Sequence, residues 1–151
     1  MAYADQIAAI KTHAVAAGAA LTRPILDVEI GPPYPGTGRC VRISYGGETE
    51  PVRMGGPRVL DAELIAERIV LTLWIPVTNL SLQEIAAVET ELYAFKHELR
   101  TRVLGDSQLG GKSTDLEMAY CEVDYGVIGN ARYRVLETEF LTDYQEYTIA
   151  P

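Results

Sequence analysis

The residues whose types most invite chemistry are Gly110-Gly111-Lys112-Ser113-Thr114. A phosphate-binding loop cradles phosphates with backbone amides and a lysine. It needs Gly-x-x-x-x-Gly-Lys-Ser/Thr between a strand and the start of a helix. Counting back from Gly111, the first glycine belongs at position 106, which is Asp106; Gly105 stands one residue too early. The surroundings are also reversed, with helical periodicity before the loop and strand alternation after it. A nest of amides over a helix N-terminus is therefore not expected here.

The other candidates are sparse. The histidines are His13 and His97, each in a helical pattern with polar neighbours, and solvated or capping roles suit them. Zinc needs a set of closely placed His and Cys ligands, and no such spacing exists. Cys40 and Cys121 lie far apart inside apolar alternating runs, which reads as free thiols in strand interiors and a reducing compartment at synthesis. Ser107 and Ser113 lack the Gly-x-Ser-x-Gly elbow of a nucleophile. Acidic residues are plentiful, but no pair stands out as an acid and base. The expectation is a protein that is not an enzyme and takes no cofactor and no metal.

Charge narrows the partners. With 21 acidic and 13 basic residues the net charge is −8. A protein that grips nucleic acid neutralises phosphates with Lys and Arg, so phosphate-backbone binding is disfavoured. Nine tyrosines fit sheet faces and interfaces better than base stacking in so acidic a chain. The most apolar run, residues 69–77, is too short for a membrane span and ends around Pro76. The N-terminus carries no basic region of a secretory signal.

The elements that must position any site read as follows. Residues 3–18 form a helix with Tyr3, Ile7, Ile10, Ala14 and Ala17 on one stripe, thin enough to lie close on a flat surface. Residues 25–30 and 39–45 are strands, joined by the proline- and glycine-rich loop 31–38 with Tyr34 at its tip. Residues 46–61, rich in Gly and Pro, are expected to be an irregular arm that orders on a partner. Residues 64–75 form the strongest strand, apolar on both faces from Ile69 and so expected to be covered on both sides. Ser81 and Glu84 begin a capping box for a helix over residues 81–104. Leu82, Ile85, Val88, Leu92, Phe95, Leu99 and Val103 form its core stripe, and Glu84, Glu91 and Glu98 an outer one. Residues 115–127 and 131–149 make a long hairpin about Gly129-Asn130, with Tyr120, Met118, Glu122 and Asp124 on the polar phase of its first strand. In the second, Tyr133 and Val135 share one phase and Leu136, Phe140 and Tyr144 the other, so a bulge is expected near Val135-Leu136. Glu137, Glu139 and Asp143 form an acidic stripe there. The expected fold is α+β in a single domain over residues 1–151: a mostly antiparallel sheet, an N-terminal helix and a long capped helix packed on it, and a long terminal β-hairpin.

Three stretches carry a resemblance: Glu67-Arg68-Ile69-Val70-Leu71-Thr72-Leu73-Trp74, the helix 81–104, and Arg132-Tyr133-Arg134-Val135-Leu136-Glu137-Thr138-Glu139-Phe140. In their order, with the length and acidic charge, the chain resembles the tail terminator proteins of long-tailed bacteriophages, the group that includes the lambda tail terminator. The likeness is one of element order over most of the chain, not of a signature motif. It implies a homo-hexameric ring at the tail–neck junction of the virion, assembled in the host cytoplasm. Such a ring caps the finished tail tube, stops further tube subunits adding, and presents a surface for the neck or head-completion protein. DNA passes its lumen without specific binding, which favours acidic lining groups: Glu84, Glu91 and Glu98, or Glu137, Glu139 and Asp143. The arm residues Arg53, Met54, Gly55, Gly56 and Arg58, with Tyr34, are the candidate inter-subunit contacts. A neck or head-completion connector is the near alternative, and a small α+β enzyme or ligand-binding domain, or a protein-binding adaptor, the alternatives of a different class.

Overall fold

The computed structural model describes residues 3–49, 52–54, 62–106, 116–142 and 145–148. The fold is α+β: two helices pack on one face of a five-stranded mixed sheet. Helix α1 spans Tyr3–Ala19 and helix α2 Leu82–Leu104. Strands β1 (Asp27–Ile30), β2 (Cys40–Glu48), β5 (Glu67–Pro76), β7 (Ala131–Leu141) and β6 (Glu117–Ile128) lie in the order β1-β2-β5-β7-β6. Strands β3 (Val52–Met54), β4 (Ala62–Ile65) and β8 (Gln145–Thr148) form a second sheet, in the order β3-β4-β8. Every pairing is antiparallel except β1 with β2.

The core lies between the helices and the sheet. From α1, Ile7, Ile10, Ala14 and Ala17 are buried, the thin stripe expected of them, against β1, β2 and α2. Gly18 is what lets the chain leave this helix: a Cβ there would meet the Ile25 carbonyl at 2.8 Å, and the Ile25 N–H donates to the Gly18 carbonyl at 3.1 Å. That turn buries Ile25 and leaves Leu26 outside, so the strand begins two residues later than expected, at Asp27. From α2, Val88, Leu92, Phe95, Leu99 and Val103 are buried over β5 and β7, facing Leu71, Leu73, Leu136 and Phe140 in one apolar cluster. The expected capping box is present. The Glu84 N–H donates to Ser81 Oγ and the Ser81 N–H to Glu84 Oε1, each at 3.2 Å. Leu82 departs from the expected stripe: it is 87% exposed, on the first turn of the helix.

Three expectations need correction. The strand expected over residues 64–75 is two strands in different sheets, with a buried break at Ala66. There the Ala66 N–H donates to Thr49 Oγ1 at 2.9 Å and the Thr49 N–H donates to the Ala66 carbonyl at 2.8 Å. One residue on, the Glu67 N–H donates to Thr142 Oγ1 at 3.2 Å and the Thr142 N–H to the Glu67 carbonyl at 3.0 Å. Two threonines thus satisfy a corner at which the β4–β5 and β7–β8 runs both change sheet.

The bulge expected near Val135-Leu136 is not there. β7 pairs β5 without interruption through those residues, and the register shift falls on β6 between Met118 and Tyr120. The Thr138 hydroxyl, fully buried, donates to the Tyr120 carbonyl at 2.6 Å beside it. The shift moves Met118 to the helix side, against Phe140, instead of the polar phase expected for it. The apolar residues of β7 need no phase change, because both of its faces carry some.

The arm expected over residues 46–61 is partly strand. β2 runs on through Gly46 and Gly47 to Glu48, with a register shift between Tyr45 and Glu48. A Cβ at Gly46 would lie 2.6 Å from Val70 Cγ2, and Gly47 has φ +85, so these glycines make a bulge within a strand rather than a linker. Arg53 and Met54 lie on β3; Gly55, Gly56 and Arg58 lie outside the described residues.

The expected cover on both faces of β5 is present: the helices lie over one, and on the other Thr72 is buried and Val70 and Trp74 are half-buried, with Trp74 meeting Tyr133 edge-on at 5.5 Å between ring centroids.

Candidate interaction surface

The face of the sheet away from the helices has two halves. Over β1 and β2, the loop of residues 31–39 folds across. The Gly36 N–H donates to Cys40 Sγ at 3.3 Å, and Gly36 sits beside the Arg42–Asp27 ion pair. Arg42 holds the Asp27 carboxyl below its ordinary range, chiefly through their hydrogen bonds of 2.8 and 3.0 Å. Tyr34, the expected loop tip, is 68% exposed.

Over β7 and β6 the face is open and acidic. Strand alternation brings Glu137 and Glu139 of β7 to the same side as Tyr120, Glu122 and Asp124 of β6. Glu137 is the register partner of Glu122, and Glu139 of Tyr120. Like charges directly opposite each other oppose the pairing they sit on. The Tyr120 hydroxyl donates to Glu122, and its pKa is pushed up to about 12, first by that bond, then by desolvation and the charges of Glu122, Glu137 and Glu139. Asp143 of the same expected stripe lies outside the described residues.

β6 is also an edge strand, and its helix-side residues run beyond the cover of α2. Tyr125 is 65% and Val127 68% exposed, with Val123 also exposed, and Ile128 is exposed on the opposite face. Arg134 of β7 organises this side. Its guanidinium lies 4.2 Å over the Tyr125 ring and donates to Glu89 of α2 at 2.6 and 3.1 Å. Those bonds hold the Glu89 carboxyl below its usual range.

The three glutamates at heptad spacing on α2 do not form one wet stripe. Glu84 closes the cap. Glu91 pairs with Arg39, with side chains only 12% and 15% exposed, while Arg39 also donates to the Arg23 carbonyl at 2.7 Å. Glu98 makes a surface pair with Arg102 at 3.5 Å. The expected grouping of Glu84, Glu91 and Glu98 as a lining is therefore corrected: Glu91 faces inward, because α1 and the turn after it lie along that side of α2.

The remaining candidates are placed as follows. His13 is half-buried; its Nε2 lies 2.8 Å from Asp106 Oδ2, tying α1 to the turn after α2. His97 is exposed and stacks on Tyr93, with 6.2 Å between ring centroids. Cys40 is a buried free thiol; Cys121 is a half-buried one whose pKa is raised by burial. Residues 107–115, with the rejected phosphate loop and both serines, lie outside the described residues. Among the described residues, no group of three or more His, Cys, Asp or Glu is placed to hold a metal ion, and no helix is long and apolar enough to cross a membrane. A cleft of about 310 Å³ between the end of α1 and α2 is lined by Leu21, Thr90, Tyr93, Ala94, His97 and Glu98.

Sequence reasoning named Glu122 and Asp124 as polar but did not join them to Glu137 and Glu139. The signal was available: counting outward from the two-residue turn at Gly129-Asn130 pairs Glu122 with Glu137.

The fold defines the class as an α+β protein with both helices on one side of its main sheet. No protein-family model and no curated protein matches the chain. A solved structure whose designation names no activity aligns over 100% of this chain and 99% of its own, at 12% identity and a TM-score of 0.48. That likeness carries no assignment.

Proposed function

We propose that this chain is a structural virion protein that forms a ring on the completed tube of a long phage tail. There it stops tube polymerisation and offers the surface to which the neck or head-completion protein attaches. The mechanism is surface capping, not bond chemistry.

The observation that carries this reading is the β6–β7 hairpin. One side is acidic and open, through Glu122, Asp124, Glu137 and Glu139, and the other ends in exposed Tyr125 and Val127. An acidic surface repels DNA phosphates and suits a lumen that genome must cross. An apolar-tipped edge strand suits contact with another protein. Of the two candidate linings, Glu137 and Glu139 are favoured over the α2 glutamates, which are engaged in a cap and two ion pairs. Heterologous contacts between copies close into a ring when the rotation allows.

Electron microscopy of tails assembled without this chain tests the proposal. Overlong or ragged tubes are expected. Headless tails of normal length would instead indicate the neck or head-completion role.

A ligand-binding domain is the second reading, favoured by the cleft where Tyr93, His97 and Glu98 converge. A small-molecule thermal-shift screen separates the two. A ligand whose stabilisation is lost in His97→Ala would favour it.

A further inference from the structure

Among the described residues the outer edge of β6 is the longest unpaired strand edge: 12 residues, against four in β1, three in β3 and four in β8. It contains neither Lys nor Pro to blunt it. Past the register shift between Met118 and Tyr120 its pairing runs without interruption to Ile128. Val123, Tyr125 and Val127, all exposed, share the helix side, while Glu122, Asp124, Gly126 and Ile128 share the other. Beside Val123 a groove of about 200 Å³ opens between this strand and α2, with Leu92, Tyr93 and Lys96 on its helix wall.

This stretch is complementary to itself. Two copies joined by this one edge close as a pair when the strands run antiparallel about an axis perpendicular to the sheet. Helix side then meets helix side. Residues directly opposite must point the same way, so the axis passes through a residue. An axis at Glu122 or Asp124 sets that carboxylate against its own copy, and one at Val123 sets Glu122 against Asp124 twice. An axis before Glu122 runs the ladder into the register shift. Axes at Gly126 and Val127 carry no clash, but they pair only residues 124–128 or 126–128 before the turn at Gly129, and Val123 is left out. An axis at Tyr125 pairs residues 122–128 with no like charges opposite. Val123 then faces Val127 twice, Tyr125 faces its own copy, Glu122 faces Ile128 and Asp124 faces Gly126. It is the longest register free of clashes, and it sets all three exposed apolar residues against apolar ones. It also brings the hairpin tip of each copy, with Val127, over the groove beside Val123 of the other.

We propose that the free chain in solution pairs with a second copy of itself through β6, antiparallel about Tyr125, so that the two five-stranded sheets run on as one. The pairing goes beyond the ring reading and does not rest on it. A ring that buries β6 against another surface must first open this pair, so the pair keeps the edge covered until the ring forms.

The test is sedimentation velocity of the full chain over a concentration series. Wild type is expected to pass from one copy to two as concentration rises. Added salt is expected to favour two, because the Asp124 carboxylates of the two copies become diagonal neighbours whose repulsion salt screens. Tyr125→Lys and Tyr125→Glu are each expected to stay single, since either sets like charges together on the axis. An equimolar mixture of those two variants is expected to regain the pair, which marks a residue that faces its own copy. Amide spectra of each variant check that the fold is kept. A wild type that stays single at every concentration, that sediments as a larger ring with no two-copy species, or that loses the pair in added salt would overturn the proposal. Pairing that survives Tyr125→Lys, or a mixture that stays single, places any contact at another register or edge and overturns it as well. Tail-tube length without the chain reads the capping role separately, so the two failures are distinguishable.

Discussion

β5 and β6 belong to one sheet, yet they have been shaped by different demands. β5 is paired on both sides, with Ile69, Leu71, Leu73 and Ile75 buried under the helices. β6 is two residues longer, paired on one side, and leaves Val123, Tyr125 and Val127 exposed on one face and a row of carboxylates on the other. Burial explains the alternation of β5 from Ile69 to Ile75. In β6 it explains little, and the like charges at Glu122 and Glu137 work against the pairing. Residues of β6 that cost the fold something and that burial does not explain are what the assembly proposal accounts for.

The largest expected effect breaks the comparison at its centre. Leu71→Ala, in the middle of β5, should cost about 3 kcal/mol, from lost burial and the cavity left behind. Val127→Ala at the hairpin tip should cost under about 0.5 kcal/mol. Urea unfolding of both variants checks the contrast; equal losses would mean that the core depends on β6 as much as on β5. Next comes Glu91→Ala, which strands Arg39 in a largely dry site. A loss of about 2 kcal/mol is expected, reduced from a fully buried pair by residual exposure. Glu98→Ala should cost only about 0.3 kcal/mol, since its pair is on the surface. Ser81→Ala removes the cap of α2 and should cost about 1 kcal/mol.

Acid titration reads smaller electrostatic effects on either half of the sheet. The Glu89 and Asp27 carboxyls are held below their ordinary values by Arg134 and Arg42. Both therefore contribute stability that is present above the ordinary carboxylate values of 4.5 and 3.8. It is lost as pH falls through the lower folded-state values. Glu89→Gln should flatten the acid limb of the stability profile, and thermal unfolding at stepped pH measures it. The smallest change is spectroscopic: Glu122→Gln should bring Tyr120 ionisation down from about 12 toward 10. Ultraviolet titration against wild type checks that shift.

Much of the helical half was legible from side-chain spacing alone. The α2 cap and the residues from Val88 to Val103 followed from Ser81, Glu84 and a helical period, because local chemistry decides them. The sheet was legible where one face is dry, as in β5. It was not where tertiary contacts decide. The corner at Ala66 depends on Thr49 and Thr142, each remote from it in sequence, and no local pattern announces it. The two apolar faces of β7 imitate a phase change, but the bulge lies in β6 opposite Glu139 and Phe140. Gly46 and Gly47 carry the composition of a linker yet serve a bulge against Val70. For the candidate surface, the acids were visible one strand at a time; the register that joins them required the turn to be counted.

The central claim is that β6 and its acidic face serve assembly. Cryo-electron microscopy of tail ends bearing this chain tests it most directly. The account expects a closed ring at the tube end, with each β6 edge buried against a neighbouring copy and Glu122, Glu137 and Glu139 facing the lumen. A tube end that lacks the chain, or a ring whose β6 edges all face solvent, would contradict it.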